Sequence, residues 1–161
     1  MARQAHDRED LFADATALVH RAELLVDGAA ETFVLGFRAN GCASVYFSPD
    51  WALHFNSKGA VRRAYLDGRL ITAEGGELFA LERHRTSNEV ELRRQPLSSA
   101  ERAQLLADAQ ARLLTLRAAL ASGRARIHRA VWEQGDAASE IAAWIERMSW
   151  PLKIAAGPHA R

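Results

Sequence analysis

Two dipeptides, Asp67-Gly68 and Gly75-Gly76, constrain this chain more than any other feature. A two-residue type I′ hairpin loop needs positive φ at both central residues, which Asp-Gly and Gly-Gly supply at low cost. Runs rich in Leu, Ile, Tyr, Phe and Val flank both pairs, so the turns predict two adjacent antiparallel hairpins. The register follows. Leu66 opposes Arg69, Tyr65 opposes Leu70, Ala64 opposes Ile71 and Arg63 opposes Thr72. Across the second turn Glu74 opposes Glu77, Ala73 opposes Leu78, Thr72 opposes Phe79, Ile71 opposes Ala80 and Leu70 opposes Leu81.

Side chains alternate across a strand. One face then carries Ala60, Arg62, Ala64, Leu66, Arg69, Ile71, Ala73, Leu78, Ala80 and Glu82. The other carries Val61, Arg63, Tyr65, Leu70, Thr72, Phe79, Leu81 and Arg83. The alanine-rich face suits close approach of a helix. Neither face is plainly polar, which predicts a sheet covered at least partly on both sides.

The same rhythm runs from Phe33 to Leu97. Ser48-Pro49-Asp50, Asn56 to Gly59 and Thr86-Ser87-Asn88 punctuate strands at Ala43–Phe47, Trp51–Phe55 and Val90–Arg94. Before it, Asp7 to Val19 reads as an amphipathic helix with Leu11, Phe12, Ala15, Leu18 and Val19 on one face. Arg21–Val26 extends that helix or begins a strand, and the Asp27-Gly28 turn favours a hairpin. After the sheet, Ser98 and Glu101 form a capping box. Leu105, Ala109, Leu113, Leu116 and Leu120 then make an apolar stripe that Gly123 ends. Arg124 to Trp132 is ambiguous between helix and strand. Asp136 caps a last helix with Ile141, Trp144, Ile145 and Met148 on one side, and Trp150-Pro151 stops it. The expected fold is α+β: an antiparallel β-meander of six to eight strands, an N-terminal helix and two C-terminal helices. Residues 1–152 form one domain, and 153–161 a loose tail.

Composition enters as a set of limits. A formal net charge of +1 gives no whole-molecule field toward nucleic acid or an anionic membrane. A single cysteine, Cys42, excludes an internal disulfide framework and fits a reducing compartment. No apolar run approaches the length of a membrane span, and Met1 to Asp14 lacks the apolar core of a signal peptide. The expected location is cytoplasmic, with no membrane partner.

Chemistry is sparse. The chain has no Gly-rich phosphate loop, no His-Glu-x-x-His and no Gly-x-Ser-x-Gly. None of the six histidines, His6, His20, His54, His84, His128 and His159, stands at helical metal-ligand spacing from another. His54, near Asp50 and Asn56, and His84, between Arg83 and Arg85, are candidate bases or ligands; a solvated or partly packed histidine is the simpler account. Cys42 has only Gly41 and Ala43 beside it, and nothing local would activate its thiol. Trp132, Trp144 and Trp150 suggest an aromatic platform, although anchoring of the last helix explains them as well. No catalytic residue, metal site or cofactor is expected.

Charge is uneven. Residues 60–130 hold thirteen basic and eight acidic side chains, against five and eight in residues 1–59. The central excess includes Arg83, Arg85, Arg93 and Arg94, the candidate anion contacts if neighbouring strand ends bring them together. Glu82, Glu89 and Glu91 would dilute that patch. Nineteen arginines against two lysines would suit phosphate recognition, although coding bias explains the excess more simply. The leading expectation is a non-catalytic binding or assembly module acting through protein–protein contacts, with a protein partner or self-association. The alternative is a nucleic-acid or polyanion-binding module using the central arginines, which is not favoured. A third reading is a small enzyme without a familiar motif, and a pocket setting His54 or His84 beside a carboxylate would favour it.

Overall fold

The computed structural model describes residues 20–86 and 88–157. Strands β1 (His20–Val26), β2 (Glu31–Phe37), β3 (Ala43–Ser48), β4 (Trp51–Phe55), β5 (Val61–Leu66), β6 (Arg69–Glu74), β7 (Glu77–Thr86) and β8 (Glu89–Pro96) run as an antiparallel meander. Helix α1 (Ser99–Ser122), strand β9 (Ala125–Val131) and helix α2 (Ala137–Glu146) follow. Strand β9 returns to pair with β1, so the order across the nine-stranded sheet is β8-β7-β6-β5-β4-β3-β2-β1-β9.

This corrects the expected α+β fold with six to eight strands, an N-terminal helix and two C-terminal helices. The chain is mostly sheet, and both described helices come after the meander. The segment 21–26 is strand, because it pairs with β2 on one side and β9 on the other. The expected helix from Asp7 to Val19 falls outside the described residues. Of the tail read as loose, Lys153–Ala155 is pinned to Val61 by two backbone hydrogen bonds of 2.7 and 2.8 Å, and Ala155 is buried. Residues 158–161 lie outside the description.

Both diagnostic hairpins form in the expected register. Asp67 and Gly68 have φ of 50° and 82°, and Gly75 and Gly76 have 61° and 80°, the left-handed pairs a type I′ loop requires. The ladder is irregular between Glu23 and Leu24, between Tyr46 and Ser48, and between His54 and Phe55, and the last of these changes a face. A bulge between His54 and Phe55 leaves Arg62 without a cross-strand partner, so Val61 opposes Phe55 and turns into the core. Val61 therefore leaves the face it was expected to share with Arg63.

The core lies between the alanine-bearing face of the sheet and the two helices. Ala64, Ile71, Ala73, Leu78 and Ala80 are buried there with Leu105, Ala109, Leu113, Leu116 and Ala119 of α1. Ser98 accepts the Glu101 N–H at 3.1 Å while Glu101 accepts the Ser98 N–H at 3.1 Å, and Gly123 closes the helix at φ 78°. Ile141, Trp144 and Ile145 of α2 complete the core, with Trp144 edge-on to Phe37 and Phe55. On the opposite, outer face, Leu25, Val34, Ser44 and Ala52 are buried, whereas Tyr65 and Leu92 are exposed.

Candidate functional site

The first turns of α1 bury Trp51, Ile71 and Leu105 against the sheet but leave Leu66 and Leu97 only half-buried. Between those turns and the tip of the β5–β6 hairpin runs a groove of about 620 Å³. Its floor is apolar: Trp51, Leu66 and Ile71 from the sheet, Leu97 before the helix and Leu105 on it. Trp51 is fixed by its contact with Phe47, ring centroids 5.1 Å apart.

The rim is charged and mixed in sign. Glu101 meets Arg69 at 3.3 Å, and Arg69 also lies 3.7 Å from Glu82. Hydrogen bonds from Ser98, then the one from Arg69, hold the Glu101 carboxyl below its ordinary range. Gln104 donates to Asp108 at 2.8 Å. Arg112 stands 6.0 Å from the centre of the Phe47 ring. One helical face supplies Glu101, Gln104, Leu105, Asp108 and Arg112, whose spacings of three and four residues stack them along the groove. The site offers burial for apolar groups and a charged rim for orientation. Its carboxylates are already engaged by Arg69 and Gln104.

A second cavity, of about 320 Å³, opens on the outer face and is lined by Tyr46, His54, Arg63 and Tyr65 among others. The register puts His54 opposite Ser44 on one side and Arg63 on the other. Ser44 Oγ lies 2.7 Å from His54 Nδ1, and the Tyr46 ring meets the imidazole edge-on. Burial first, then the charges of Arg38, Arg62 and Arg63, push the His54 pKa down to about 4. A serine beside a histidine invites comparison with a nucleophile and its base. A base of that pKa draws a proton from a hydroxyl poorly at neutral pH, and the charges acting on it are guanidinium rather than carboxylate.

The chain matches no family model, no curated protein and no solved structure.

The four candidate arginines separate. Arg83 pairs with Leu92, Arg85 with Val90 and Arg94 with Leu81, which puts these three on the outer face. Arg93 pairs with Glu82 on the opposite face and lies 3.7 Å from Glu91. Arg94 is bound to Glu74 and covers the Phe79 ring at 4.4 Å. Cys42 and Trp132 are packing residues. Cys42 is buried, and its N–H donates to Asn40. Trp132 stacks on His20 at 4.8 Å and meets Phe37 edge-on. Among the described residues no group of three or more His, Cys, Asp or Glu is arranged to hold a metal ion, and no helix is long and apolar enough to cross a membrane.

Sequence reasoning missed the groove. The signal available was the charged series Glu101, Asp108 and Arg112 bordering the apolar stripe of α1. What it lacked was the other wall, since Trp51 and Leu66 come from strands far earlier in the chain.

Proposed function

We propose that this chain is a non-catalytic binding module that receives an apolar, charge-flanked segment of a partner protein in the groove between α1 and the β5–β6 hairpin. The observation that carries this reading is the pairing of an apolar floor with a rim of both signs, Arg69 and Arg112 against Glu101 and Asp108. The floor supplies affinity by burial, and the rim selects orientation and register. The volume suits two or three side chains of a bound segment. A buried, unpaired Cys42 accords with a reducing, cytoplasmic setting.

A displayed library of random peptides, selected on the full chain, tests this. Selected peptides should share apolar anchors flanked by charge, and their amide shift perturbations should map to Leu97, Ala100, Leu105 and Asp108. Ala100→Trp at an exposed groove position should weaken them at least tenfold while leaving the melting temperature unchanged. Peptides that bind equally well after that change, or that map to the His54 cavity, would refute the reading.

A further inference from the structure

Among the described residues the sheet has two edges, β8 and β9, and they differ in kind. Every residue of β8 is exposed, including Val90 at 56% and Leu92 at 64%. An exposed edge presents unpaired N–H and C=O groups and is a template for another strand. Which groups it presents follows from the register. The Leu97 N–H donates to the Leu78 carbonyl at 3.0 Å, so this pair is of the hydrogen-bonded kind. Counting back in alternation, Gln95, Arg93, Glu91 and Glu89 point their peptide groups at β7. Val90, Leu92 and Arg94 point theirs outward. Pro96 has no N–H to offer there and closes the ladder.

We propose that two copies of this chain pair antiparallel through β8, about a two-fold axis at Leu92, into one continuous sheet. This stands on residues separate from the groove. The axis makes Leu92 face Leu92 of the second copy, with Val90 facing Arg94 on either side. These are the residues whose peptide groups are free, so each such pair exchanges both of its backbone hydrogen bonds. On the alanine-bearing face, the same operation sets Glu91 against Arg93 of the second copy, twice. Arg93 already faces Glu82 across β7, so each row alternates in sign from Glu82 to Arg93 to the second copy's Glu91. On the outer face, Leu70 and Leu81 are cross-strand partners, and with Leu92 they border a depression of about 660 Å³. Pairing two Leu92 side chains carries that leucine row across the axis and covers the most exposed large apolar residue among those described.

Charged edges often serve to prevent pairing. Here the two signs are placed so that a two-fold axis matches them, which mere protection does not require. Strand β9 behaves as a protected edge. It carries Arg126, His128 and Arg129 and no acidic residue, so no register lets a second copy meet its charges with opposite ones. Pairing β8 to β9 would join unlike edges and grow an open ladder rather than a closed dimer.

Sedimentation velocity and light scattering on the full chain, from micromolar to near-millimolar concentration, decide the matter. The expected result is a concentration-dependent dimer. Glu91→Arg sets arginine against Arg93 and should weaken it at least tenfold; adding Arg93→Glu to the same chain should restore it. Leu92→Pro removes an outward N–H and the Leu92 side chain while leaving the β7–β8 hydrogen bonds in place, and should also give monomer, with circular dichroism and melting temperature showing the sheet intact. A monomer at every concentration would overturn the proposal. So would a dimer indifferent to Glu91→Arg and Leu92→Pro, a double exchange that stays monomeric, or a ladder of higher oligomers. Retention of groove-peptide binding by Glu91→Arg keeps this outcome independent of the groove.

Discussion

His54 should make this protein lose stability in mild acid. In the fold its pKa stands at about 4, against 6.5 for an unperturbed histidine. Between those values the unfolded chain binds a proton that the folded chain refuses. Stability from this group is therefore complete above pH 6.5, falls as pH drops toward 4 and levels off below it. At about 1.4 kcal/mol per pH unit, moving from pH 7.5 to 4.5 removes about 2.5 kcal/mol. Carboxylates titrate in the lower part of the same range, so the wild type alone does not isolate the effect. His54→Gln does, because the amide does not titrate and its oxygen can accept from Ser44. Urea unfolding of both proteins at several pH values gives a difference curve in which common carboxylate terms cancel. That curve should slope by about 1.2 kcal/mol per pH unit near pH 5.5. A difference below about 0.5 kcal/mol, or an imidazole NMR titration with its midpoint near 6.5, would refute the argument that burial and Arg38, Arg62 and Arg63 keep the ring neutral.

Three further outcomes are expected. Leu113 is fully buried at the centre of the α1 stripe, so Leu113→Ala should cost roughly 2–5 kcal/mol in denaturant melts. Gly123 ends α1 at φ 78° with open space around its Cα, so Gly123→Ala should cost about 1 kcal/mol through backbone strain alone, read as a lower melting temperature. Mixed-sequence DNA and RNA should bind more weakly than micromolar at physiological salt, because Arg94 is held by Glu74 and Arg93 points to the other face. Submicromolar binding lost on replacing Arg83 and Arg85 would restore the polyanion reading.

The legible part of the fold was the part with local causes. Asp67-Gly68 and Gly75-Gly76 dictate backbone conformation by themselves, and the register of β5, β6 and β7 follows residue by residue. One step further along that register Arg69 meets Glu82, at 3.7 Å between side chains too exposed to contribute more than about 1 kcal/mol. The capping box and Gly123 likewise bound α1 from short-range chemistry. What escaped was non-local. Strand β9 has no hairpin partner, and it is a strand because β1 lies open to it about a hundred residues earlier in the chain. The bulge at Arg62 left no mark that separates it from regular alternation, yet it moved Val61 from one face to the other.

The candidate sites divide the same way, which is why no local motif marks them. Each wall of the groove is ordinary alone. Leu66 and Arg69 flank a hairpin loop, and Glu101 serves as the capping-box residue of α1. Only when the hairpin tip meets the helix start does Glu101 acquire a second duty, binding Arg69 while still accepting from Ser98. The β8 edge carries its pattern within one strand, and there the symmetry Glu91-Leu92-Arg93 is written in three consecutive residues. Its meaning still depended on topology. In an interior strand those charges would face fixed neighbours on both sides, and their mirror relation about Leu92 would be accidental. At an edge, in the dimer we propose, the same three residues would set the partner strand, its direction and its register.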